Sequence, residues 1–203
     1  MNKNIIEEKY KRILNLKEWG YNTPKLMKIA KGTNVDEILI KNLYLFAGNA
    51  NKMTVRTYSA TDEILEFATD FFPEVPLDEA IKKVIDSVGK YHVLFQEAIN
   101  KETTLITGNI ALKKDRTGFY DILRGPYRVR DVDNPPKNVE RESVIFSRLY
   151  EIHDLEMIKI ILDIKDIPFL VPYDGVIIEF DLHNEYIGEN KDKLILWEYK
   201  PLK

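Results

Sequence analysis

The sequence predicts an α+β protein with a largely antiparallel sheet arrangement. Three observations carry this. Helical and strand-like stretches are mixed rather than repeated as strand–helix–strand units. Strands cluster in the middle of the chain and again at its end. No internal repeat or low-complexity linker interrupts the order. Of the 203 residues, 44% are hydrophobic and 31% charged, which supports a real core and is unlike the composition of a disordered chain.

The elements follow in order. Ile5, Ile6, Tyr10, Ile13, Leu14 and Leu16 recur at helical spacing, and Gly20 ends that helix. Asn22-Thr23-Pro24 is a turn, and Leu26 to Ala30 a short strand. Gly32-Thr33-Asn34 caps a second helix that runs to about Ala47 and stops at Gly48-Asn49. Met53 to Tyr58 is β-branched and aromatic, hence a strand. Phe71-Phe72-Pro73 and Pro76 mark a loop before a helix from Leu77 to Gly89, with acids in its first turn. His92 to Ile99, Thr103 to Leu112, Gly118 to Leu123 and Tyr127 to Val132 read as strands. Glu151 to Ile164 reads as a helix with Leu155, Ile158, Ile161 and Leu162 on one side. Val176 to Leu182 and Leu194 to Tyr199 close the chain, joined by a polar loop with Gly188 and Asn190. Residues 1–99 are expected to form one half of a single unit and residues 100–203 the other.

Composition excludes several classes. The chain has no cysteine, so disulfides, thiolate metal sites and a cysteine nucleophile are out. The formal charge of -3 offers no global basic field for nucleic acid. No run approaches a membrane span and no apolar signal core opens the chain, so a cytoplasmic location is expected. Abundant Lys, Glu and Ile with a single glutamine, Gln96, fit a heat-adapted protein.

Few residues point to chemistry. Ile177-Ile178-Glu179-Phe180 and Leu196-Trp197-Glu198-Tyr199-Lys200-Pro201 each place a glutamate in an apolar strand. A buried carboxylate is costly unless paired or bound to a metal. If the strands share a hairpin, the two glutamates lie side by side, as Mg²⁺ with substrate phosphate requires. The alternative is that both face solvent on the polar side of a half-buried sheet. Val55-Arg56-Thr57-Tyr58-Ser59-Ala60-Thr61-Asp62-Glu63 sets an arginine among hydroxyls, a phosphate cradle or a surface strand leading to a helix cap. Phe95-Gln96-Glu97-Ala98-Ile99 is either a hinge whose groups meet an adenine and ribose or a core strand with a polar exit. Arg124, Tyr127, Arg128 and Arg130 suit phosphate or single-stranded RNA, or else pair with Asp131, Asp133 and Glu142. His92, His153 and His183 are scattered, lack metal-ligand spacing and read as structural. Glycine-rich phosphate loops and dinucleotide fingerprints are absent from the sequence.

In their order along the chain, these runs resemble the ATP-grasp superfamily, and within it the ATP-binding domain of phosphoenolpyruvate synthase and pyruvate phosphate dikinase. Leu16-Lys-Glu-Trp-Gly-Tyr-Asn-Thr-Pro24 is similar to that family's opening helix and turn. The run from Val55 is similar to its Val-Arg-Ser-Ser-Ala segment, and Phe95 to Ile99 to its interlobe strand. Leu196 to Pro201 is similar to its last strand, with Lys200 where the family has arginine or asparagine.

The resemblance implies a two-lobed ATP-grasp-like fold with ATP between the lobes. It implies Glu179 and Glu198 as Mg²⁺ ligands and Arg56 and Lys200 as the catalytic residues that hold phosphate. It implies Gln96, Glu97, Ala98 and Ile99 at the base and sugar. The implied activity is phosphoryl transfer or ligation to a small acceptor; the alternative is a non-catalytic nucleotide-binding or interaction protein that keeps the fold. Expected partners are a nucleotide and a small acceptor, with no membrane and no nucleic acid. A homo-oligomer or a partner subunit stays open.

Overall fold

A computed structural model describes residues 5–59, 70–187 and 192–202. It contains four α-helices and nine strands among the described residues: α1 (Ile5–Glu18), β1 (Leu26–Ile29), α2 (Glu37–Ala47), β2 (Lys52–Ser59), β3 (Asp70–Pro76), α3 (Leu77–Val88), β4 (Tyr91–Glu97), β5 (Thr104–Lys113), β6 (Gly118–Arg124), β7 (Glu142–Phe146), α4 (Leu155–Ile164), β8 (Gly175–Ile187) and β9 (Asp192–Pro201). They form two sheets whose pairs are all antiparallel. The fold class expected from the sequence holds. The chain divides into two compact units, Met1–Lys11 with Pro24–Asn100 and Arg12–Thr23 with Lys101–Lys203.

The first unit carries a four-stranded sheet in the order β1-β4-β2-β3. One face packs on helices. Ala80, Ile81, Val84 and Val88 of α3 and Leu43 of α2 meet Ile29, Met53, Val55, Val93 and Phe95 from the strands. The α3 spacing of three to four residues is the stripe a helix needs to lie on a sheet. The other face carries Tyr58 and Leu94, packed against Tyr10 and Leu26. A Pro-rich stretch expected as a loop is instead β3, because it lies at the sheet edge. An edge strand tolerates Pro73 and Pro76, whose missing N–H groups no neighbour needs. Asp36, not the Gly32-to-Asn34 turn, caps α2: its carboxylate accepts the Leu39 N–H at 2.9 Å. Thr33 turns back to the Ala30 carbonyl instead, at 2.7 Å.

The second unit carries a five-stranded sheet in the order β7-β6-β5-β8-β9. Its core face buries Ile106, Ile110, Leu112, Tyr120, Ile122, Phe146, Ile178, Phe180, Leu194 and Leu196. Met157, Ile160, Ile161 and Ile164 of α4 close over it. Asp154 sets the phase of α4 by accepting the Glu156 and Met157 N–H groups at 2.8 and 3.1 Å. The helix therefore begins later than expected and presents a different stripe: Leu155 is 73% exposed and Leu162 42% exposed. Each buried aliphatic in that stripe stabilises the unit by about 1.5–3 kcal/mol as an upper bound.

One further expectation is corrected here. Tyr127 to Val132 is not a strand but holds a short 3₁₀ turn at Val129–Asp131. The Asp131 carboxylate accepts the Arg128 N–H at 2.9 Å, a local bond that competes with sheet pairing. The edge strand β7 takes its place against β6. Arg124 bonds Glu142, Asp154 and Glu156, so the basic cluster is locally neutralised at that residue.

Asp36→Ala should lower stability by about 1 kcal/mol, the usual value of a lost cap. Urea unfolding of the variant checks it, and an unchanged midpoint with an unchanged slope would place the cap elsewhere.

Candidate functional site

The closing hairpin builds the site in the second unit. On β8, Glu179 and Asp181 alternate with the core residues Ile178 and Phe180, so both lie on the opposite sheet face. On β9, Leu194 and Leu196 are core residues, and so is Tyr199 three positions after Leu196. The register explains the change of phase. Phe180 pairs with Leu196 but Glu179 pairs with Glu198, leaving Trp197 as an extra, bulged residue. Glu198 therefore stands directly across from Glu179.

That pair belongs to a longer row. Ser143 pairs with Asp121, Asp121 with Asn109, Asn109 with Glu179 and Glu179 with Glu198. All five strands thus present a polar side chain at one level of the face opposite the core, each about 4.8 Å from the next. Ser143 donates to Asp121.

Glu198 is only 2% exposed. Two carboxylates directly opposite repel each other, and two cations offset this. Lys200 donates to Glu179, and Arg12 of α1 reaches Glu198 at 3.3 Å. Burial works against the Lys200 ammonium, but the charges of Glu179 and Glu198 and the Glu179 hydrogen bond outweigh it and raise the lysine pKa. Asp181 lies beside the pair and is buried. Its carboxylate accepts from the Thr107 hydroxyl and, at 2.6 Å, from the Trp197 indole. Burial pushes the Asp181 carboxyl up to about 7, against the pull of those two hydrogen bonds and of Arg128.

Two glutamates in a row with an amide fit Mg²⁺ in the form that ion favours, one or two carboxylates completed by substrate phosphate and water. An all-protein cage does not fit: among the described residues no group of three or more His, Asp or Glu side chains is placed to hold an ion.

Arg56 and Gln96 belong to the first unit. Register places Arg56 opposite Leu94 and Thr54 opposite Gln96. Arg56 and Gln96 are therefore diagonal neighbours on the face away from α2 and α3. The Arg56 guanidinium lies 4.8 Å from the Phe71 ring centre, a cation–π contact. Among the described residues its buried Nε meets no partner, and neither does the amide nitrogen of Gln96. Each such orphan donor costs about 1–3 kcal/mol, so two on one face mark a place made for acceptors. Glu97 ends β4, and its carboxylate accepts the Lys25 N–H at 3.2 Å. Ala98 and Ile99 follow the strand directly, with Ile99 buried. Ala60 to Glu63 of the arginine run, like Gly188 and Asn190, lie outside the described residues.

Sequence reasoning missed Asn109, Asp121, Arg12 and the structural part played by Asp181. A signal existed for three of them. Asn109, Asp121 and Asp181 each interrupt an apolar strand with the same alternation as Glu179. Arg12 is reachable only through the fold. His183 takes the structural part expected of it. His183 is fully buried, its Nδ1 is 2.9 Å from the Thr103 hydroxyl, and burial lowers its pKa to about 4.

No protein-family model matches the chain, and no curated protein matches it by sequence. Solved structures do match its fold. D-alanyl-alanine synthetase A from Vibrio cholerae superposes with a TM-score of 0.56 at 12% identity, over 95% of this chain and 54% of its own. D-cycloserine synthetase DcsG gives 0.53 at 10% identity, over 95% and 61%. A RiPP-associated ATP-grasp ligase from Chryseobacterium gregarium, solved with ADP and a leader and core peptide, gives 0.53 at 9% identity, over 94% and 50%. The chain thus spans about half to three-fifths of the length of these proteins, and at such identity the likeness carries the fold, which is ATP-grasp-like.

His183 yields a pH dependence. The unfolded chain takes its imidazole proton near pH 6.5 and the folded chain only near 4, so its contribution to stability is present above 6.5 and is lost as pH falls towards 4. The His183 C2 proton should titrate near pH 4 by NMR; a midpoint near 6.5 would contradict its burial.

Proposed function

We propose that the protein binds ATP with Mg²⁺ and uses it for phosphoryl transfer or ligation to a small acceptor. The observation that carries this is the register that sets Glu179 against Glu198 on a polar sheet face, with Lys200 and Arg12 beside them. Two opposed carboxylates, one of them 2% exposed, are costly to hold side by side. The ATP-grasp-like fold supports the same reading, as do the two orphan donors of the first unit. The specific likeness to the ATP-binding domain of phosphoenolpyruvate synthase rests on the sequence runs alone.

In this reading Glu179 and Glu198 hold the metal. Mg²⁺, when bound, offsets negative charge on the phosphoryl oxygens. Arg56 supplies fixed, planar donors to phosphate, including the Nε that meets no acceptor among the described residues. Lys200 keeps its proton because Glu179 and Glu198 favour it, and it neutralises charge developing on the transferred group. Gln96 offers its amide nitrogen to an acceptor on the base or sugar, and Glu97, Ala98 and Ile99 line the same exit from β4. The class of acceptor is a small molecule, with a carboxylate as the leading case.

Calorimetry tests this directly. Glu179→Ala together with Glu198→Ala should abolish Mg²⁺-dependent ATP binding. Arg56→Ala should weaken ATP by about tenfold or more, the value of a lost charge-assisted bond, while leaving adenosine nearly unaffected. Undiminished binding in the double variant would sink the metal assignment. ATP binding and thermal stabilisation with no ADP released across a panel of small carboxylates would instead favour the non-catalytic alternative.

A further inference from the structure

Glu198 reaches the carboxylate row only because β9 breaks step. In an unbroken strand Leu196 and Glu198 share a face. Since Leu196 is in the core, an unbroken β9 would send Glu198 there as well and set Trp197 opposite Glu179. A one-residue change of register turns every following side chain to the other face. The bulge at Trp197 is that change, and Tyr199 in the core is its downstream mark.

One contact fastens the bulge. The Trp197 indole N–H donates to Oδ2 of Asp181 at 2.6 Å. Asp181 is 5% exposed, and its other oxygen takes the Thr107 hydroxyl. Thr107 is itself the register partner of Asp181 on β5. The clasp is therefore anchored on the central strand of the sheet rather than on the hairpin alone. Asp181 has no task in the reading above: its two oxygens are engaged by Trp197 and Thr107.

We propose that Asp181 is a positioning residue of the metal site, clasping the bulged Trp197 so that Glu198 stays opposite Glu179. This rests on the reading of Glu179 and Glu198 as metal ligands. Asp181 acts through Trp197 and touches neither metal nor nucleotide. A slipped β9 would keep its apolar residues and its strand, yet would present Trp197 where the second carboxylate belongs.

NMR of the labelled chain without metal, and Mn²⁺ binding measured alone and with ATP on the same samples, test the clasp. The cross-strand backbone NOE between residues 179 and 198 should be present in the wild type and in Asp181→Asn, whose amide oxygen still accepts from the indole. It should be lost in Trp197→Phe and Asp181→Leu. Mn²⁺ affinity in the presence of ATP should fall about 10- to 100-fold in Trp197→Phe, the range for lost supporting contacts, and remain near wild type in Asp181→Asn. Retained NOE and Mn²⁺ affinity in Trp197→Phe would overturn the clasp. Should that variant not fold, Asp181→Leu removes the acceptor and keeps the indole; a retained NOE and affinity there overturn the proposal equally. A wild-type chain that binds no Mn²⁺ refutes the metal reading instead, and the NOE then decides the clasp alone.

Discussion

The pairing of β8 with β9 is the constraint on which the second unit depends. Glycine or proline does not set it; one unpaired residue does. Upstream of Trp197, β9 gives Leu194 and Leu196 to the core, and downstream it gives Tyr199. Between them Trp197 and Glu198 both stand against Glu179. The same strand thus serves a dry face and a charged one, and Pro201 ends it against Val176.

The two faces of that sheet are governed by different physics. The core face is predominantly apolar, because burial there must offset chain entropy through apolar contact. The opposite face runs Ser143, Asp121, Asn109, Glu179 and Glu198 across five strands. Such a row is intrinsically unfavourable, since its carboxylates are close and partly desolvated. Lys200 and Arg12 make it tolerable, and they do so from different places, one on the hairpin and one on α1. The face is thus held by ion pairs drawn from two separate elements.

Much of this was legible in the sequence, and the losses have physical causes. Strong periodicity located α1, α3, β2, β5, β6, β8 and β9. Edge position concealed β3, since Pro73 and Pro76 read as breakers wherever a strand's neighbours are unknown. Local side-chain bonding concealed the 3₁₀ turn at Val129–Asp131: Asp131 satisfies Arg128, a choice no propensity records. The expected start of α4, Glu151, lies four residues before its actual start at Leu155, which Asp154 caps. In the candidate site, Glu179 and Glu198 were visible as polar residues in apolar strands, and so in principle were Asn109, Asp121 and Asp181. Arg12 was not, because it is far from Glu198 in sequence and close only after folding. Nor was the bulge, since a one-residue slip leaves composition and alternation on either side intact.

The edge strand β3 has a consequence for how the protein behaves in company. An exposed edge normally offers a row of free N–H groups on which another chain can extend the sheet, the first step towards fibrils. Pro73 and Pro76 remove two of those donors within seven residues, and Glu74 between them turns to a φ of +52°. The first unit therefore blunts this side of its sheet by chemistry, which favours a chain that stays dispersed at high concentration.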